Sequence, residues 1–462
     1  MINTILLILI VYLALMFGIA WYFSRDESLD SYFLNKKKTR LWMMTFSNAA
    51  TVMGAGAVVG IVGEVYNSGI SYGLSLPISF IAGMIILGLM AKKIKEIGNE
   101  YGAYTIVDFF EKRFDKKNKI LTSVLQLIML VVWVGVQAIA IASLSSVLLG
   151  FDLRFALVLT ALITIIYTSI GGLKVDIITD VIQFWIIAFV FIAMAFIGYT
   201  EIGSISNLVS NLTEAHLDPF NFGGVGWMIG IMLISGFLYV GNTTHWQRIF
   251  SAEDPETAKN SFFLSIPFLV ILAVIVIFLG LLSSVLLTDI QQDTAIFSLM
   301  VHILPPSLVG LGFASIIAVV MSSIDSLLIG GSRIIYGSIF KQSGSETKKD
   351  MFYARLITAI FGLCGFMIAS FVPNIITLGF FVSYLALIFV PPTIAGLYSK
   401  KTSSDASFYS ILIPTILLFV LFPILKENTF AITTPLGIMI VVLYDICFKS
   451  RYKVYNHPPK HK

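Results

Sequence analysis

The chain has 462 residues and a formal net charge of +4; it is 57% hydrophobic and only 12% charged, with a mean hydropathy of +0.92. Soluble domains carry roughly 25% charged residues, so this composition excludes an ordinary soluble globular protein. The only cysteines, Cys364 and Cys447, lie inside apolar runs and give neither a disulfide framework nor a Cys-rich metal site. The basic residues sit in particular loops and show no aromatic-plus-basic constellation of an RNA or DNA reader, so nucleic acid is not an expected partner.

Repeated apolar runs of about 20 residues read as transmembrane helices, whereas a membrane β-barrel would show short alternating segments. In chain order they predict thirteen spans, at 2–23, 41–66, 70–91, 120–149, 155–171, 177–199, 226–241, 261–287, 307–330, 353–372, 375–398, 406–425 and 430–447. The first has no basic n-region and no small-residue cleavage site, so it reads as a retained span and not a signal peptide. Lys and Arg gather in alternate loops, as in "NKKKTR" at 35–40, "EKRFDKKNK" at 111–119 and the tail from 448, while only Arg154 and Lys426 clearly fall on the other side. The positive-inside rule then predicts an outside N-terminus and a cytoplasmic C-terminus in a plasma-membrane protein, consistent with an odd number of spans. The chain reads as one transmembrane domain, 1–462, with the bilayer as its surroundings. Only the stretches 92–119 and 200–225 leave room for helices lying off the membrane. The tail "NHPPKHK" holds two of the five histidines, which read as solvated.

The second span, "FSNAATVMGAGAVVGIVGEVY" at 46–66, carries Gly54, Gly56, Gly60 and Gly63. Each glycine weakens a helix by about 1 kcal/mol relative to alanine. Gly56 and Gly60 form a GxxxG, which permits close helix packing. The other reading is an unwound segment whose freed carbonyls face a cavity, as in transporters with broken helices.

The stretch "VMSSIDSLLIGG" at 320–331 tips that balance. On a helix, Ser322 and Ser326 share a face at i, i+4, and Ser322 and Asp325 at i, i+3. A serine pair alone often only bonds the preceding turn. A carboxylate at mid-membrane, however, costs about 2.5–3.5 kcal/mol on insertion scales and usually marks a polar site. Hydroxyl and carboxylate oxygens at one level are the ligands a hard cation needs.

These residues carry a resemblance. The broken helix, "YTSIGGLKVDIITDVIQ" at 167–183, "WQRIFSAEDPETAK" at 246–259 and "AVVMSSIDSLLIGGSRIIYGSIFK" at 318–341 together make the chain similar to the sodium:solute symporter family. That resemblance implies an all-α membrane protein of the LeuT-type fold. Its two inverted five-helix repeats would lie at about 41–199 and 226–398, with one extra helix before them (2–23) and two after (406–447). It implies a sodium ion held by the backbone carbonyls of Ala50, Met53 and Val319 and the hydroxyls of Ser322 and Ser323. It also implies, from some relatives, a second cation site at Asp180, Ser322, Asp325 and Ser326. Sodium would be the coupling ion, a small organic solute the cargo, and no organic cofactor is required.

The substrate positions depart from several family branches. Where the proline-type pattern has an Asp and a Ser, this chain has Val52 and Gly54; Val52, Gly54 and Ala57 replace polar residues of the sialate carriers; and Val52 replaces an aromatic of the choline branch. Val52, Gly54 and Gly56, with Trp133 and Gln137 one turn apart, are the candidate substrate-facing residues. Trp133 can equally pack or face lipid.

Sodium-coupled import is therefore the leading expectation. A proton-coupled carrier titrating Asp180 and Asp325 is the first alternative, and a sensory membrane module the second. An enzyme is not expected, since no nucleophile–base pair, phosphate loop or metal-ligand cluster appears. Asp176, one turn before Asp180, reads as a gate or a solvated helix end.

Overall fold

A computed structural model describes residues 2–25, 28–54, 56–340, 347–371 and 375–447; the histidines of the tail, for which no site is expected, lie outside the described residues. No strand occurs among the described residues. The longer helices are α1 (Ile2–Phe23), α2 (Leu41–Val52), α3 (Ile61–Ser68), α4 (Ile70–Tyr101), α5 (Lys116–Leu149), α6 (Leu153–Ile202), α7 (Gly224–Leu238), α8 (Thr243–Ser251), α9 (Pro255–Leu286), α10 (Pro306–Ile339), α11 (Lys348–Phe371), α12 (Ile375–Ile388), α13 (Val390–Tyr398), α14 (Ser404–Leu425) and α15 (Phe430–Cys447). Among the described residues, ten helices are long and apolar enough to cross a membrane, or eleven if the bent pair α2 and α3 forms one span. α6 counts once in that tally although it doubles back, and α15 falls among the shorter apolar helices.

Two breaks position everything that follows. α2 stops at Val52; Met53 leaves helical geometry (φ −80°, ψ 42°), a wide five-residue turn spans Gly56–Gly60, and α3 resumes at an angle of 56°. Gly54, Gly56 and Gly60 thus sit where the helix unwinds, whereas Gly63 lies within α3, where a Cβ would come 2.5 Å from the Gln292 carbonyl oxygen. Gly56 and Gly60 meet no neighbour within 4 Å of a would-be Cβ, so they do not mediate a close helix contact. In α6, Gly172 takes φ 60° and ψ −172°, a conformation that is essentially glycine-only. The chain reverses there: the Tyr167 hydroxyl donates to Thr179 Oγ1 at 2.6 Å, whereas twelve residues of straight helix would separate them by about 18 Å. A Cβ on Gly172 would lie 2.7 Å from the Tyr32 carbonyl oxygen.

α10 is the central pillar. It packs against α1, α2, α5, α6 and α11, and 78% of its most apolar window is buried, against 28% for α1 at the periphery. Peripheral helices instead present Leu7, Trp21, Phe196 and Ile424 outward, as a lipid-facing surface requires. Between the spans the structure adds short helices, Leu29–Leu34, Ile106–Arg113, Ile205–Ser210, Glu214–Leu217 and Ala295–Ile303. The first and last of these, and α8, are absent from the pattern expected from hydropathy because they are too short to leave a periodic signal.

Helix ends are set by side-chain caps. Thr105 and Asp108 form a reciprocal capping box. Asp254 accepts from the Thr257 N–H at 2.8 Å ahead of Pro255. That bond and the Thr257 hydroxyl hold the Asp254 carboxyl below its ordinary value.

Candidate ion and substrate site

Where α2 ends, the carbonyls of its last turn lose their helical donors. Serines of α10 supply replacements. Ser322 Oγ donates to Ala50 O at 3.3 Å and to Val319 O at 3.0 Å; Ser323 Oγ donates to Thr51 O at 3.2 Å and approaches Val319 O at 3.5 Å. Ala50, Val319, Ser322 and Ser323 are therefore brought together across the α2–α10 contact. Met53 caps α2, its N–H donating to Ala49 O at 3.2 Å, and its own carbonyl points out of the helical pattern. Thr51 is an additional oxygen that sequence reasoning missed.

Below these oxygens lies a buried charge cluster. Arg248 of α8 is fully buried. Its Nη2 donates to Asp180 Oδ2 at 2.9 Å, to Ser326 Oγ at 2.7 Å and to Thr51 Oγ1 at 2.5 Å, and lies 3.5 Å from Asp176 Oδ2. Its Nε donates to Ser47 Oγ at 3.1 Å, and Ser47 in turn donates to Asp180 Oδ2 at 2.5 Å. Ser326 also donates to Asp176 Oδ2 at 2.9 Å. Asp325 stands beside this cluster, accepting from Thr168 Oγ1 at 2.5 Å.

The four expected members of the second site are thus divided. Asp180 and Ser326 share Arg248, Ser322 belongs to the upper carbonyl group, and Asp325 is held by Thr168. Asp176 is buried, not a solvated helix end, because the reversal at Gly172 folds its half of α6 into the core. Arg248, Ser47 and Thr168 were not singled out from sequence. The one available signal was an arginine just beyond a span, in "TTHWQRIF".

Above the serines opens a cavity of about 790 Å³. All five substrate candidates, Val52, Gly54, Gly56, Trp133 and Gln137, line it together with Ser323, Tyr239 and His245. Gly54 sets its floor: a Cβ there would lie 2.7 Å from Ser323 Oγ and 3.0 Å from Gln137 Nε2. The wall continues outward past Glu64 of α3 and Tyr72 of α4 to Phe222 and Trp227. Rings of Tyr72 and Phe222 meet edge-on at 5.2 Å, and those of Phe222 and Trp227 at 5.3 Å.

The pattern of the sodium:solute symporter family matches residues 32–413. The chain belongs to that family. It is 27% identical over 429 residues to the sodium/pantothenate symporter of Haemophilus influenzae, covering 88% of each chain. It is also 27% identical over 386 residues to the sodium/glucose cotransporter of Vibrio parahaemolyticus, covering 75% of this chain and 70% of that one. A solved structure of a Na+-coupled sialic acid symporter, described as substrate-bound and outward-open, superposes with a TM-score of 0.84 at 19% identity, over 96% of this chain and 98% of that one. That likeness shows the fold, the LeuT-type arrangement expected from the sequence motifs. This family member is accordingly a multi-pass, sodium-coupled solute symporter and not an enzyme.

Proposed function

We propose that this symporter imports a small organic solute by alternating access, with sodium held at the α2–α10 oxygens. The observation that carries the reading is the pair of serine hydroxyls turned onto the carbonyls of an interrupted helix. Rotating each O–H away would leave oxygen lone pairs from Ser322, Ser323, Ala50 and Val319 converging, with the Met53 carbonyl completing an all-oxygen shell suited to a hard monovalent cation. The cavity lies directly above, so the ion and the solute would share Ser323 and the broken end of α2, which is a simple physical basis for coupling.

Arg248 acts as the inner closure in this reading. It ties α2, α6 and α10 together, and its bonds must break before the cytoplasmic side can open. Asp176 Oδ1, Asp180 Oδ1 and Asp325 Oδ2 are buried without a hydrogen-bond partner among the described residues. Such orphaned oxygens are costly unless a proton or cation visits them. A second cation at Asp180, Ser322, Asp325 and Ser326 would occupy this locus when Arg248 releases Asp180 and Ser326, and a proton in the same place is the variant that the orphaned oxygens also favour.

The two halves of the core, about 41–199 and 226–398, would rock against each other as inverted repeats, with the N-terminus outside, as the Lys and Arg asymmetry requires. The deciding experiment is solute uptake into vesicles with sodium varied at fixed pH. Sodium-dependent accumulation supports the reading, whereas accumulation that follows only the proton gradient replaces sodium with protons.

A further inference from the structure

The cavity resting on the sodium-symport reading above also carries information about the charge of its cargo. Nine of its lining side chains are aromatic, yet among the described residues no Lys or Arg lines it. The single side-chain carboxylate in its wall is Glu64, on the outer half of the broken helix, beside Tyr72. Beneath the floor lie Asp176, Asp180 and Asp325, the first two paired with Arg248.

We infer that the solute is a small organic cation, a quaternary ammonium or an amine protonated at neutral pH, bound against aromatic faces and drawn in past Glu64. A carboxylate cargo would enter a site of like charge with no basic side chain to pair with. A cation gains twice, from the ring quadrupoles of walls such as Trp133 and Tyr239 and from the carboxylate of Glu64 in the same wall. Aromatic faces bind a cation without being hydrogen-bonded to it, so they suit an ammonium whose surface is methyl groups. Two buried polar atoms of wall residues lack a hydrogen-bond partner among the described residues, Trp227 Nε1 and His245 Nδ1, and the second fits a substituent on that cation. His245 is buried with its ring 4.9 Å from that of Tyr239, and its Nδ1 has no hydrogen-bond partner among the described residues. It can therefore meet a hydroxyl or N–H of the solute. At the floor, the close approach of Ser323 and Gln137 to Gly54 restricts the head to a compact group.

The test uses a set of ligands matched in shape and differing in charge: choline, its neutral carbon isostere 3,3-dimethyl-1-butanol, and the anion 3,3-dimethylbutanoate. Each is titrated against the full-length purified protein in sodium, with the melting temperature as readout, because a ligand of the folded state raises it by mass action. Choline is expected to act at a concentration at least tenfold below the isostere, and the anion to have no effect. Glu64→Gln is expected to reduce the choline-to-isostere ratio several-fold while leaving the shift caused by sodium alone intact. A neutral or anionic member matching choline, or no response to any of the three while sodium still stabilises the protein, overturns the cation assignment. Absence of the sodium shift itself speaks against the symport reading and not against the charge of the cargo, so the two failures are distinguishable. The ligand comparison is made on the unmutated protein and stands even if Glu64→Gln does not fold.

Discussion

The guanidinium of Arg248 lies 2.9 Å from the carboxylate of Asp180 although 68 residues separate them, and both side chains are essentially withdrawn from solvent. The pair also anchors Ser47, Thr51 and Ser326, so one arginine fixes three core helices at the level just below the candidate sodium oxygens. Removing it strands two buried carboxylates.

Arg248→Gln is expected to cost about 3–5 kcal/mol of stability, the usual penalty for breaking a buried ion pair. The double variant Arg248→Gln with Asp180→Asn should regain part of that, since it removes one of the two uncompensated charges, but should not regain concentrative uptake. Melting temperature and vesicle uptake separate the two effects. Recovery of coupled uptake in the double variant would reduce Arg248 to a structural role.

Ser322→Ala and Ser323→Ala each remove one hydroxyl that bonds a carbonyl of α2. The hydrogen bonds alone are worth about 0.5–1.5 kcal/mol each. Sodium activation of uptake should shift further, by about tenfold or more per residue, which corresponds to about 1.4 kcal/mol in ion affinity. An unchanged sodium dependence in the double alanine protein sinks the ligand assignment.

Gly54 and Gly56 are separated by their surroundings. Gly54→Ala forces a Cβ to within 2.7 Å of Ser323 Oγ, whereas the same substitution at Gly56 meets open space. Uptake should fall sharply in Gly54→Ala and stay near normal in Gly56→Ala. Leucine at either position should abolish uptake by filling the cavity, with membrane insertion retained. Transport in both leucine variants would remove the cavity role.

Asp180→Asn and Asp325→Asn test the second cation locus. Each charge carried with a neutral solute is worth about 2.3 kcal/mol per 100 mV of membrane potential. If the locus is used, Asp180→Asn lowers the charge moved per solute, or the steepness of sodium activation, without eliminating sodium dependence. Unchanged ratios in both variants leave the aspartates to hold helices together.

Gly172→Ala tests the reversal in α6. A side chain in that backbone conformation costs about 1–3 kcal/mol, and its Cβ would also press on Tyr32. The protein should reach the membrane in much reduced amount. Normal abundance would mean that the reversal tolerates another backbone conformation.

Local sequence determined a great deal here. Apolar runs of bilayer length give the membrane class, because water is absent from the hydrocarbon and each span must satisfy its own backbone. Gly54, Gly56 and Gly60 mark the interruption of one helix, since glycine is the weakest helix former short of proline. Ser322, Ser323, Asp325 and Ser326 declare a polar site by sitting where a greasy helix should be. The tertiary structure decided which oxygens meet. Asp176 looked like a helix end until the reversal at Gly172 placed it in the core. Arg248 looked like one basic residue in a cytoplasmic connection, yet α8 carries it under the bundle to Asp180 and Ser326. Neither placement has a local signature, because a buried ion pair between helices obeys no spacing rule along the chain. It is set by where long-range packing brings the helices, and by the cost of leaving a charge unpaired once they meet.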